Sequence, residues 1–531
     1  MKDTKIKSIC FIVLLIAVTS LFLATRFYRL DVVPFGAHRM HIDELGAAYD
    51  AFCISEYGVD QFLLKMPPYF RCFGEGQNAL YTYLSAIVFK IAGISLFNYR
   101  LSAVICAMGA FAALFFLMKE MLDKWYALVA LALMTIMPVF MISEHWGLEA
   151  YLLMSFVIIS MCFHVHAAMT GSSLHYFLAG VFWGLSYYTY SLSYIVVTVF
   201  LILSMAILMK YKKITLKNAL LAGIPVLVLG FPLLMEQLVM MGALEPFSLF
   251  GVMDLWVPPY TRYHGISWEY VSENLLGALR FIYVDDNDAY NSNRTFGTMY
   301  YVSIPFILIG MVASAITVIK DIKRKVLNPW LFCWLFYLCS RIFLLFVKEP
   351  NVNRINGIYP EYLMFTVYGI KTALEKFKFK KALFTAGCVA YIIPFVLFSK
   401  YMYSHDGLQN DAYDIGDSLG CDIQAAETAA LAKKLAMGRP VYALLNDGWM
   451  RHLSMALYTE TSPYDFFRDN EPQDRSFNGV EWEMPDGLDL TGDTVYLIDN
   501  ELSHITQYLI SEGFAADMTY PDYTVVYRPV Q

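Results

Sequence analysis

In the stretch GAHRMHIDELGAAYD two carboxylates stand side by side, Asp43 and Glu44, shortly beyond the apolar run Ser8 to Ala24. Adjacent side chains point about 100° apart on a helix and to opposite faces on a strand, so the pair is not expected to share one role. Carboxylates kept at a membrane interface are costly to bury and commonly functional. Other polar groups stand at similar places: Arg100 in NYRLSA, Glu144, His145 and Glu149 in SEHWGLEAYL, and Asn353 and Arg354 in EPNVNRINGIYP. Each has an ordinary structural alternative, Arg100 and Arg354 as interfacial anchors and Glu149 as a charge at a helix start. Together they suit transfer of a group from a lipid-linked phosphate. A carboxylate can take the proton of an acceptor hydroxyl. An arginine can hold the charge developing on a departing phosphate with two parallel N–H groups. Tyr190, within YYTYSLSY (Tyr187 to Tyr194), adds ring faces and hydroxyls suited to a sugar or headgroup, or belongs to an interfacial aromatic belt.

The frame that would hold these residues is a membrane. The chain has 531 residues, is 58% hydrophobic and only 16% charged, with a mean hydropathy of +0.49. Soluble domains are nearer half apolar and a quarter charged. Runs of about 18 or more apolar residues recur, enough to cross about 30 Å of hydrocarbon as helices. The first run reads as a retained anchor rather than a removed signal peptide. Basic residues cluster in short loops, at Lys2, Lys5 and Lys7, Lys119 and Lys124, Lys210 to Lys217, Lys320 to Lys325, and Lys376 to Lys381. The positive-inside rule places all of these in the cytoplasm. Helices that satisfy it run approximately 8–25, 100–118, 125–143, 149–169, 175–190, 191–209, 218–236, 301–319, 329–347, 359–376 and 381–399. That gives about eleven spans, a cytoplasmic N-terminus and an extracytoplasmic tail. The run Ala79 to Phe97 would invert every later loop if it spanned and carries Lys90, so it is expected to lie on the outer face.

This predicts a transmembrane domain over 1–399, with a first outer loop at 26–98 and a second at 237–300, and a soluble domain over 400–531. Residues 401–531 carry 22 Asp/Glu against 7 Lys/Arg, whereas residues 1–400 carry 24 against 32. Such an acidic tail argues against nucleic acid as a partner. Its apolar runs PVYALL, TVYLID and YTVVYR alternate with helical stretches such as IQAAETAALAKKLA and ELSHITQYLISEG, the pattern of a small α/β domain. Nine cysteines are scattered without a CxxC; Cys53 and Cys72 share the first outer loop and could pair there.

Four pieces carry a family resemblance: HIDELGAAYDA, GQNALYTYLSAIVFKIAGISLFNYRLSA, SEHWGLEAYLL and NRINGIYP, in that order over residues 1–375. They resemble the GT-C superfamily of polyprenyl-phosphate-sugar glycosyltransferases, in its protein O-mannosyltransferase and aminoarabinose transferase branch. The resemblance implies a helical polytopic membrane fold of GT-C type and an inverting transfer to an extracytoplasmic surface glycan, lipid or protein. It makes Asp43 the base with Glu44 as neighbouring acid, and places Arg100 and Arg354 on the donor phosphate. His145 (where many relatives have arginine), Glu149, Tyr190 and Asn353 fall to substrate binding. The partners implied are the polyprenyl-phosphate sugar, membrane lipid and the acceptor. Metal use varies among such proteins and no His/Cys/Asp spacing here demands an ion, so a divalent metal is left open. The alternative is a transporter or flippase of a lipid-linked sugar precursor, which calls for charges near the bilayer midplane and commonly an inverted repeat.

Overall fold

The computed structural model describes residues 2–36, 39–72, 76–257, 266–276, 293–348, 354, 356–409, 418–420, 424–446, 449–466, 476–477, 479–481, 487–520 and 522–529. Among them, seven helices are long and apolar enough to cross a membrane. These are Ile6–Phe27, within α1 (Lys2–Phe27); α4 (Leu96–Met121); Glu149–Thr170, a one-turn entry followed by α7 (Leu152–Thr170); α9 (Ser193–Lys210); α10 (Leu216–Met240); α12 (Ser303–Lys323); and α15 (Lys380–Tyr403). Shorter helices fill the bundle between them: α5 (Lys124–Ile136), α6 (Pro138–Ser143), α8 (Ser173–Ser186), α13 (Trp330–Leu344) and α14 (Tyr359–Lys376), with α11 (Val271–Leu276) in the second loop. The chain is a multi-pass membrane protein.

Sequence chemistry sets the breaks. The stretch expected as one helix over 125–143 is divided because Pro138 has no N–H to continue α5; Met137 turns extended (ψ 135°) and α6 restarts on the proline. Gly310 on α12 and Gly369 on α14 let these helices touch backbone to backbone, since a Cβ at either would collide with a carbonyl of the other helix.

The first loop is built, not loose. β1 (Arg39–His41) runs directly into α2 (Ile42–Tyr57), which closes on Gly58 in the left-handed region (φ 72°). A hairpin, β2 (Tyr69–Phe70) with β3 (Gln77–Asn78), leads to α3 (Leu80–Ala92). Thirteen residues make a helix of about 20 Å, too short to cross about 30 Å of hydrocarbon. Lys90 on α3 pairs with Glu56 on α2 at 3.0 Å. Cys53 and Cys72 are free thiols. A further short hairpin, β4 (Ser248–Leu249) with β5 (Met253–Asp254), lies in the second loop.

Beyond α15 comes β6 (Ser418–Gly420) and then a mixed sheet in the order β11-β12-β10-β7-β9-β8. Its strands are β7 (Val441–Leu444), β8 (Ser476–Phe477), β9 (Val480–Glu481), β10 (Val495–Asp499), β11 (Ala515–Asp517) and β12 (Tyr523–Tyr527). The three strands read from the sequence are its middle: β10 lies parallel to β7 and antiparallel to β12. Helices Gln424–Ala436 and Ser503–Ser511 stand where the two helical stretches were expected.

Candidate functional site

Asp43 and Glu44 occupy the first turn of α2 and have opposite surroundings. His41 is the N-cap: its Nδ1 accepts the N–H of Asp43 at 3.1 Å, while its own N–H donates to Glu44 Oε2 at 3.0 Å, a reciprocal capping box. The Asp43 side chain keeps 41% of its exposure, with Cys72 Sγ 3.9 Å from Oδ1. Glu44 is fully buried. Its Oε1 accepts from Arg100 Nε at 2.9 Å and from the Gly147 N–H at 2.7 Å. Its Oε2 accepts from Arg100 Nη2 at 2.8 Å as well as from His41. Every strong acceptor position of the carboxylate is taken.

Arg100, at the start of α4, is equally committed. Beyond the two bonds to Glu44, Nη1 donates to the carbonyls of Leu30 (3.2 Å) and Val33 (2.9 Å), and Nη2 to that of Arg39 (3.3 Å). A guanidinium has five N–H donors, so none is left for a phosphate, and the side chain is fully buried. A phosphate contact by Arg100, or a chemical role for Glu44, would require this network to open. The pair is an internal lock joining the first loop, α4 and the SEHWGLE turn.

That turn is held by close approach. A Cβ on Gly147 would overlap the Tyr99 ring and come within 2.9 Å of Glu44 Oε1. Glu149 is buried and accepts the N–H of Asn78. Asn78 in turn reaches Ser191 Oγ (3.4 Å) and accepts from the Tyr194 hydroxyl, tying the first loop to the Tyr187–Tyr194 turn. Tyr190 is half-buried in that turn, its carbonyl accepting from the Ser193 hydroxyl at 2.6 Å. His145 is buried, with Nδ1 against the Met141 carbonyl at 2.8 Å, and burial pushes its pKa down to about 3. Its neighbour Glu144 binds Arg26 Nε at 2.5 Å; burial raises the Glu144 pKa and the arginine opposes that rise. Arg354 is exposed and donates to the Lys348 carbonyl at 2.8 Å. Asn353 lies outside the described residues.

Four residues of this network escaped the sequence reading. His41 had a signal, an N-cap position three residues before a glutamate in HIDE. Asn78 and Gly147 had none beyond their place in the motifs. Arg26, at the end of an apolar run, was hidden by the hydropathy around it. Among the described residues no group of three or more His, Cys, Asp and Glu side chains is placed to hold a metal ion.

A helical membrane bundle with a structured first loop and a C-terminal mixed sheet is a fold that solved structures share. The structure is similar to that of ArnT from Cupriavidus metallidurans bound to undecaprenyl phosphate, at 12% identity, covering 96% of this chain and 97% of that chain with a TM-score of 0.53. The apo state of ArnT gives 13% identity, 98% of each chain and a TM-score of 0.51. That coverage includes the tail, for which the sequence motifs offered no counterpart. A family model described as dolichyl-phosphate-mannose-protein mannosyltransferase matches residues 78–235. The matched segment contains Asn78, Arg100, Gly147, Glu149 and Tyr190 but begins after Asp43. No curated protein matches the chain in sequence.

Proposed function

We propose that this chain is an integral membrane glycosyltransferase that moves a sugar from a polyprenyl-phosphate donor to an extracytoplasmic acceptor hydroxyl with inversion. The observation that carries the reading is the division within the acidic pair: Glu44 is locked on Arg100, which leaves Asp43 as the half-exposed carboxylate. Asp43 takes the proton of the acceptor hydroxyl as its oxygen attacks the anomeric carbon. The bond from that carbon to the phosphate oxygen breaks, and the polyprenyl phosphate leaves with the electron pair. Attack opposite the leaving group inverts the centre. Glu44 and Arg100 position Asp43 rather than react. Arg354 receives the donor phosphate. Glu149, His145, Tyr190 and Asn353 shape the substrate side. The lipid-phosphate donor is supported by the shared fold with ArnT, whose structure is described with undecaprenyl phosphate bound.

Residues 1–399 form the membrane transferase, and 400–531 a soluble domain on the outer face, in the orientation set by the lysine clusters. The test is transfer of label from a polyprenyl-phosphate sugar by purified protein, matched to the surface glycan lost when the gene is deleted. Asp43→Asn should lower turnover by roughly 10² to 10⁴ while leaving folding and donor binding intact. Wild-type turnover in that variant removes the base assignment. Label that crosses vesicles unchanged points instead to transport.

A further inference from the structure

The chain beyond the last apolar helix returns to the candidate base. β6 pairs antiparallel with β1, setting Gly420 opposite Arg39, Leu419 opposite Met40 and Ser418 opposite His41. β1 ends on His41, whose Nδ1 caps the Asp43 N–H. An imidazole nitrogen that accepts an N–H carries no proton, so the His41 ring holds its proton on Nε2. The 3.6 Å approach of Nδ1 to the Asp43 carboxylate is then a contact rather than an ion pair. The ring is fixed by stacking on Phe35, with centroids 6.0 Å apart, and by the edge contact with Trp146 at 5.9 Å.

The same tail grips α2 farther along. The Tyr49 hydroxyl donates to the Thr461 carbonyl at 2.9 Å, and the Tyr49 ring meets Phe466 edge-on at 5.0 Å. Met40, Leu45, Ala48 and Phe52 share one apolar core with Leu453 and Leu457 of the tail. An isolated two-stranded ribbon is marginal in water; this one is anchored by that core. A base must lie about 2.6 to 3.2 Å from the proton it takes, and a misplacement of about 1 Å can cost roughly 10²-fold in rate.

We propose that the C-terminal domain is a positioning element of the Asp43 site: β6 fixes β1, β1 sets His41, and the His41 imidazole sets the turn of α2 that carries Asp43. The inference rests on the reading of Asp43 as the base. His41 is then a positioning residue, and the domain outside the bundle completes the site inside it.

The test is hydrogen exchange on the full-length protein in detergent, read on peptides covering 39–44, for His41→Ala, His41→Asn, Ser418→Pro and Leu419→Pro. Bonded and non-bonded pairs alternate along an antiparallel ladder, so one of the two prolines removes a ladder N–H. That variant and His41→Ala should exchange about five- to tenfold faster over 39–44, while His41→Asn stays near wild type because asparagine caps well. Peptides of α7 should be unchanged in every variant. With a working donor, the loss should fall on kcat and leave the donor KM in place, with His41→Asn rescuing. Unaltered exchange over 39–44 in both proline variants overturns the inference, as does acceleration spread equally over α7. Full turnover by Asp43→Asn alongside the expected exchange pattern removes the base reading but leaves the strand coupling standing.

Discussion

Glu44 and Arg100 decide what the acidic pair can do. With both ions fully buried, removing one partner strands the other in low dielectric, at a cost of roughly 3–5 kcal/mol. Glu44→Gln is nearly isosteric, yet its amide nitrogen is unable to accept from both His41 and Arg100. Its expected outcome is a lower unfolding midpoint and a reduced yield of folded protein, measured in detergent, with turnover falling in proportion to folded protein. Arg100→Lys should behave alike, because one ammonium has only three donors for sites that now take five. Folded, inactive Glu44→Gln would instead return Glu44 to the chemistry. The pair was legible in the sequence and its division of labour was not. Adjacent positions fix only that two side chains diverge; which one turns inward depends on Arg100, 56 residues away. Arg354, exposed at the surface, makes the opposite prediction. Arg354→Ala should weaken donor use far more than Arg354→Lys while leaving the unfolding midpoint unchanged, and equal, near-native donor kinetics in both would make it an interfacial anchor.

The elements of the first loop carry their own pH signature. Asp50 on α2 and Asp60 just beyond it are both buried. Asp50 Oδ1 accepts from the Gln61 N–H at 2.9 Å, and Asp60 Oδ1 from Phe62 and Leu64, each at 2.8 Å. Burial pushes both acids up, Asp50 well above its ordinary value with the Asp60 charge adding to the rise, and Asp60 to about 7 despite its two N–H bonds and Arg71. The folded chain keeps the Asp60 proton up to about pH 7, whereas the unfolded chain releases it near 3.8. Between those values the folded state binds more protons, so its stability falls as pH rises; the contribution is full below the window and gone above it. Asp60→Asn preserves the Oδ1 acceptor and removes the titration. Its unfolding midpoint should vary less across that window than the wild type's and exceed it at about pH 8; identical pH slopes would refute this account. The element pattern itself was largely readable. The short α3 follows from helix rise, whereas the break at Pro138 was passed over within a single span of 125–143, and the two buried acids were invisible because periodicity does not report which polar residue the fold will enclose.

At the scale of the molecule, hydropathy and lysine placement made the membrane class and the C-terminal α/β domain legible, because both are properties of long averages rather than of single contacts. The joining of the two was not legible. It rests on a three-residue strand pair between β1 and β6, nearly 380 positions apart in the chain, and on a shared apolar core that no local pattern marks. That joining has a topological consequence. Since β6 pairs with the strand leading into Asp43, the tail and the candidate base must lie on the same side of the membrane. The lysine clusters predict that this side is the outer one. Ser503, exposed at the start of the helix Ser503–Ser511, is a suitable reporter. In intact, wall-stripped cells Ser503→Cys should react with a membrane-impermeant thiol reagent well above the wild-type background, and lysis should add little. Labelling of Ser503→Cys only after lysis would place the tail, and with it Asp43, in the cytoplasm, where an extracytoplasmic acceptor is out of reach. Because the strand pairing binds the two together, one label decides the side of both.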